Sequence, residues 1–343
     1  MSRARALVAC GGLLLVATAA PSAPPELRSD GRRAMGTVLE ITLAAPDGSS
    51  PEALLDGLFA EVSRLEGIFT NFDDASALSR LNRAAGSGPQ PVPAELAEIL
   101  AVSRSWWEVT GGAFDVTVGP LVALWKEAER AGGAPEPDRL AAARARVGSQ
   151  RIRVSRSDAT AELADAGMSV DLGGIAKGYA IDRLADAVRA AGVESAFVSF
   201  GQSSLWALGA PPDAPGWRVL VRDAADGFAG VATLRDRALS VSGSLGQWHV
   251  VHGRRRGHVI DPRSGEPLAR PLQSAVTAPT AAAAEALSTA VLVLGTRAGI
   301  DLLEALPGTE GLLVDAEGAR FTTRGWSQAV AFEWFADEAG AGP

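Results

Sequence analysis

Apolar and polar side chains alternate through Thr37-Val38-Leu39-Glu40-Ile41-Thr42-Leu43, the period-two signature of a half-buried strand. The period then lengthens. Ser50 supplies a cap and Pro51 a first helical residue, after which Leu54, Leu55, Leu58, Val62, Leu65 and Phe69 recur at helical spacing and define one core-facing stripe. The pattern predicts a second helix from about Pro93 to Val109, stopped by Gly111-Gly112, and a third starting at Pro120. Residues 131–137 read as a linker or loop. Beyond residue 171 the chain becomes strand-rich, with predicted strands at 195–200, 217–222, 230–234, 238–242 and 257–260. Helical spacing returns at 280–294 and 297–306. No internal repeat appears. This irregular order predicts an α+β fold, with helices packed on a largely antiparallel sheet.

Composition narrows the class. The chain has 343 residues, 47% hydrophobic and 21% charged, which is ordinary for a globular protein with a sizeable core. Its net charge of −8 argues against nucleic acid as a partner, and Arg254-Arg255-Arg256 is a short basic run that reads as a solvated loop. At the N-terminus, Arg3 and Arg5 precede an apolar run from Ala6 to Ala20, then small residues and prolines. These are the parts of an export signal. The run is shorter than the about 20 residues that a spanning helix needs, so no stable membrane span is expected after cleavage. Residues 1–23 are therefore expected as the signal peptide, with cleavage near Ala19 to Ala23, and residues 24–32 as a spacer. Cys10, the only cysteine, stands in a lipoprotein-like box; lipid anchoring there ranks behind simple cleavage because most of the apolar run follows it.

The candidate chemistry concentrates in a few segments. Asp171-Leu172-Gly173-Gly174-Ile175-Ala176-Lys177-Gly178-Tyr179-Ala180 holds the only tyrosine and one of two lysines in an arginine-using chain. A glycine pair opening a helix lets ligand oxygens reach backbone N–H groups at the positive end of the helix, and Lys177 adds a compact charge one turn in. Tyr179 is expected to pack against the sheet. Ala34-Met35-Gly36-Thr37 places a flexible thioether just before a strand. In Gly112-Ala113-Phe114-Asp115-Val116-Thr117, an acid sits between apolar side chains; taken alone it reads as a loop or cap acid. All three histidines fall between 249 and 258, and His258 opens a strand-to-turn segment, His258-Val259-Ile260-Asp261-Pro262-Arg263-Ser264-Gly265. His249 and His252 lack a motif and read as surface residues. In the alanine-rich helix, Glu285 and Thr289 are four apart on one face, presenting oxygens that suit magnesium, although the pair taken alone reads as a packing helix with an ordinary surface glutamate. The dinucleotide, Walker A, nucleophile-elbow and zincin fingerprints are absent from the sequence.

Taken in order, these segments resemble the ApbE family of FAD:protein FMN transferases over about residues 33 to 330. The resemblance implies one transferase domain over 33–335 and export to the periplasm or outer cell surface. It also implies magnesium-dependent transfer of FMN from FAD to a threonine or serine hydroxyl of an exported acceptor flavoprotein carrying a flavinylation motif, with release of AMP. Carried over by position, Met35, Phe72, Phe114, Asp115, Val116, Asp171 and Lys177 would bind FAD. Magnesium would take backbone oxygens of Gly174 and Ala282 and the side chains of Glu285 and Thr289. His258 matches the catalytic histidine. Three places depart from the family pattern: Glu285 replaces the usual aspartate, Phe72 stands where a tyrosine is frequent, and 198–204 lacks the common Asn-x-Gly-Gly-Asp/Asn loop. Two other activities fit the same residues, hydrolysis of FAD to FMN and AMP, and non-catalytic FAD binding in the cell envelope.

Overall fold

This computed structural model describes residues 26–335 apart from 47, 225–226, 245–247 and 252–253, and of 248–251 and 254–256 the backbone only. The signal segment with Cys10, His252 and the side chain of His249 lie outside the described residues. The first half runs β1 (Leu27–Ala34), β2 (Thr37–Ala44), α1 (Pro51–Phe69), α2 (Ala77–Arg83), β3 (Gln90–Pro91), α3 (Ala94–Val109), α4 (Gly119–Arg130) and α5 (Pro137–Arg144). It continues with β4 (Ile152–Ser155), β5 (Thr160–Leu163), α6 (Ala176–Ala190), β6 (Ser195–Phe200), β7 (Ser204–Leu208), β8 (Trp217–Arg222), β9 (Phe228–Leu234), β10 (Arg237–Gly243), β11 (Trp248–Val251) and β12 (Arg254–Gly257). The rest is β13 (Leu272–Ala278), α7 (Ala281–Leu294), α8 (Thr296–Glu304), β14 (Glu310–Asp315), β15 (Arg320–Thr322), α9 (Trp326–Val330) and β16 (Glu333–Trp334).

The frame is an eight-stranded sheet in the order β1-β2-β6-β7-β10-β13-β14-β15, antiparallel at every pairing. Its central strands bury both faces, and side chains alternate between two cores. Trp206 and Ala238 join the core under α1, α6 and α7, whereas their neighbours Leu205, Ala207 and Leu239 join a second core against the sheet β16-β9-β8 and Trp326 of α9. Helix α7 lies inside the protein: from Ala281 to Val293 every residue but Thr289 is buried. A helix apolar nearly all round is stable only in such a place, and each fully buried leucine or valine there contributes about 1.5–3 kcal/mol.

The predicted helices and most predicted strands form where the periodicity places them, and the fold is α+β as expected. The start of the chain differs. Residues 27–32, expected within a spacer, form most of β1, paired with β2 in register from Leu27↔Ala44 to Ala34↔Thr37. The period-two signal is weak there because five of the eight residues of β1 are exposed at the sheet's edge. The expected strand 257–260 is split: β12 ends at Gly257, and Ile260 makes an isolated bridge to Pro267. Tyr179 lies in the main core, edge-on to Phe69 of α1 with its hydroxyl donating to Glu98 of α3 at 2.6 Å.

Candidate active site

The Asp171 segment is a tight turn delivering the chain into α6. Asp171 accepts the Gly173 N–H at 2.8 Å, and its own N–H donates to the Val116 carbonyl at 2.7 Å. The 114–119 segment thus runs beside the turn, and Phe114 faces Gly174, where an added Cβ would stand 3.4 Å from the ring and 3.7 Å from the Thr289 hydroxyl. Asp115 points elsewhere. Buried, its carboxylate accepts from the Thr117 amide and hydroxyl at 2.8 and 2.6 Å and from the Ser149 amide and hydroxyl at 3.1 and 2.6 Å. Val116 is buried in the main core.

Helix α6 carries Lys177 onto α7. Lys177 donates to Glu285, whose carboxylate also accepts the Gly178 N–H at 2.6 Å and the Ser204 hydroxyl at 3.2 Å. Two further contacts fix the helix pair: Gly178 gives α6 the clearance to touch the start of α7, and Asp182 accepts the N–H groups of Ala281 and Ala282 at 2.7 and 3.0 Å. That carboxylate sits at the positive end of α7, yet burial outweighs its hydrogen bonds and pushes its pKa up to about 6. Thr289, half-buried, donates to the Glu285 carbonyl at 3.2 Å.

The remaining candidates surround this junction. Met35 and Gly36, with φ of 45° and 77°, make the two-residue hairpin turn between β1 and β2, both in the left-handed region such turns require. Met35 is half-buried against the main core. Gly201 donates to the Val38 carbonyl at 2.8 Å, so the β6–β7 turn, which leads directly into Ser204, lies beside that hairpin. Phe72 is 94% exposed on a loop tied to the Asp171 segment through Asn71, whose amide donates to the Val170 carbonyl at 3.2 Å. The Lys126 ammonium lies 6.0 Å from the Phe72 ring centre. His258 is exposed at the end of β12, on a loop held by the Trp125 indole donating to the Gly265 carbonyl at 2.8 Å and by Arg263 reaching the Val293 carbonyl of α7 at 3.4 Å.

The structure therefore brings Phe114, Asp171, Gly174, Lys177, Ala282, Glu285 and Thr289 together at the α6–α7 junction, while Met35, Phe72 and His258 stand on separate turns. Sequence reasoning passed over Asp182 and Ser204. Asp182 was within reach, since Gly178 and Asp182 are four apart and mark the face of α6 that meets another helix. Ser204 ends the 198–204 segment that departs from the family pattern, but a serine opening a strand is commonplace and carries no signal of its own.

Among the described residues, no three His, Cys, Asp or Glu side chains converge as a metal centre. A cation at this junction would depend instead on one carboxylate, a hydroxyl and backbone carbonyls, the hard donor set of Gly174, Ala282, Glu285 and Thr289. This chemistry fits magnesium, with water and phosphate oxygens completing the shell. Among the described residues no helix is long and apolar enough to cross a membrane.

The architecture is that of the flavin transferases: the chain is similar to the flavinyl transferase ApbE of Pseudomonas stutzeri, with a TM-score of 0.78, 27% identity and coverage of 89% of this chain and 97% of that one. Residues 35–313 match the ApbE family, and the chain belongs to that family. Its relatives include an FAD:protein FMN transferase of Klebsiella pneumoniae, 31% identical over 85% of each chain. A second, from Treponema pallidum, is 32% identical over 76% of this chain and 77% of its own length.

Proposed function

We propose that this protein is an exported, magnesium-dependent FAD:protein FMN transferase that places FMN on a threonine or serine of a partner flavoprotein and releases AMP. The observation that carries the reading is the junction itself: Lys177, the Gly173–Gly174 turn, Glu285 and Thr289, far apart in sequence, meet where α6 and α7 touch. Family membership and the names of the relatives support it.

In this reading the acceptor hydroxyl oxygen attacks the phosphorus of the FMN half of FAD, and the bond from that phosphorus to the bridging oxygen breaks. AMP leaves with the bridging oxygen. Such a transfer asks little covalent chemistry of the protein, so positioning and charge neutralisation carry the rate. The Gly173–Gly174 turn and Lys177 hold the diphosphate, Asp171 shapes that turn, and Phe72, Met35 and Phe114 seat the rings, with Asp115 and Val116 holding Phe114 in place from the core side. His258 takes the hydroxyl proton. When bound, magnesium neutralises charge on the diphosphate through Gly174, Ala282, Glu285 and Thr289. The export-signal pattern of residues 1–23 in the sequence supports action outside the cytoplasm, where an exported acceptor would be met.

The test is incubation of the purified chain with FAD, magnesium and an acceptor domain. The acceptor should gain the mass of one FMN while AMP appears in equal amount. AMP formed without that gain would make the protein an FAD hydrolase; FAD binding with neither product would make it a flavin-binding protein.

A further inference from the structure

The Glu285 carboxylate is the most heavily used acceptor at the junction. Its side chain is 4% exposed, and that of Lys177 20%. Lys177 and the Ser204 hydroxyl share Oε1, and the Gly178 N–H takes Oε2. A carboxylate offers about four lone-pair sites, so three are already engaged. The three donors differ in freedom. The Gly178 amide belongs to α6, which Ala281 of α7 holds in place, and Ser204 opens a strand paired to β6 and β10. Lys177 alone ends a flexible four-carbon stem.

We propose that Lys177 and a divalent cation compete for Glu285, so that cation entry transfers the Lys177 ammonium from the carboxylate to the nucleotide diphosphate. The inference rests on the transferase reading above. Two positive charges on one buried carboxylate oxygen repel each other, and the donor on the longest flexible stem, the lysine, is the one that can withdraw. Its release is not wasted: the Gly173–Gly174 turn lies one helical turn before Lys177, so a diphosphate held there would receive the ammonium. Cation and nucleotide then favour each other through Lys177, in addition to any direct contact between them, and the coupling is reciprocal. Glu285 takes part through its length. The side chain reaches past its own helix to Lys177 and to the Gly178 amide, a span that a shorter aspartate would have to cover with one methylene fewer. The cation affinity of this chain is accordingly set by Lys177 as well as by the ligands.

The test uses Mn2+ alone, without nucleotide, titrated by electron paramagnetic resonance into the full-length wild type and Lys177→Met. The variant should bind Mn2+ about tenfold more tightly, a coupling of ordinary size, and should lose most of the extra affinity that FAD confers on the wild type. Since Lys126 and Lys177 are the only lysines, lysine-selective 13C NMR of the wild type gives a second readout that needs no substitution at the site. Saturating Mg2+ should move the Lys177 signal and leave that of Lys126 in place. Tighter binding by the variant with an unmoved Lys177 signal would mean only that a nearby charge had been removed, and would overturn the exchange; unchanged or weaker binding would overturn it too. If the wild type bound no Mn2+ even with FAD present, the magnesium part of the transferase reading would fall together with this inference. A transferase that binds Mn2+ indifferently to Lys177 would lose this inference alone.

Discussion

Gly178 and Ala281 meet backbone to backbone. A Cβ on Gly178 would collide with the Ala281 carbonyl and stand 2.7 Å from the Ala282 nitrogen, so the α6–α7 contact exists because residue 178 has no side chain. In an ordinary helix interior, Gly→Ala gains about 1 kcal/mol from helix propensity. Here the sign reverses. Gly178→Ala should destabilise the protein by about 1–3 kcal/mol, the usual range for overpacking, and should weaken FAD binding by moving the Gly173–Gly174 turn and Lys177 away from the candidate cation ligands on α7. Urea denaturation checks the first effect and flavin fluorescence the second; a stabilised variant would mean that the helices are free to part.

Asp115 links two loops rather than facing the turn. Removing its carboxylate leaves the buried donors of Thr117 and Ser149 unpaired, at about 1–3 kcal/mol for each group that water cannot reach. Asp115→Ala should therefore lose about 3 kcal/mol of stability in a urea titration, with Asp115→Asn between it and the wild type. FAD affinity measured well below the melting temperature should change far less than stability. A large drop in affinity with unchanged stability would instead place the carboxylate on the nucleotide.

Phe72 offers the opposite test. With its ring almost wholly in solvent, truncation costs the fold nothing, whereas stacking on a base or ring contributes about 1–3 kcal/mol. Phe72→Ala should raise the FAD dissociation constant by about 10- to 100-fold with no shift in melting temperature, and Phe72→Tyr should restore it. Equal FAD affinity in all three proteins would remove Phe72 from the site.

His258→Ala should keep FAD binding and slow the transfer. General-base assistance contributes about 10²–10⁴ in rate, so single-turnover flavinylation followed by mass spectrometry should show a loss in that range. Transfer at the wild-type rate would take His258 out of the mechanism.

Much of this protein was legible along the chain because its informative patterns are local. The stripe from Leu54 to Phe69 sets helix α1, the alternation from Thr37 to Leu43 sets β2, and the glycine pair before Lys177 marks a turn into a helix whatever surrounds it. The Glu285–Thr289 spacing is likewise helical arithmetic. Those signals depend only on backbone periodicity, which each residue shares with neighbours a few positions away.

Other features were decided only when distant segments met. That Leu27–Ala34 is a strand depends on the partner that β2 offers it, since an exposed edge strand has little apolar pattern of its own. That Asp115 is a clamp depends on Ser149, 34 residues further along, and the place of Tyr179 in the core depends on Phe69 and Glu98. The Lys177–Glu285 pair spans 108 residues. No periodicity encodes such a contact; it follows from the clearance at Gly178, the Asp182 carboxylate at the start of α7, and a core that holds the two helices against the same sheet. The sequence by itself determined which residue types were available to bind an anion and a cation. Packing decided that the lysine meant for one and the glutamate meant for the other would first meet each other.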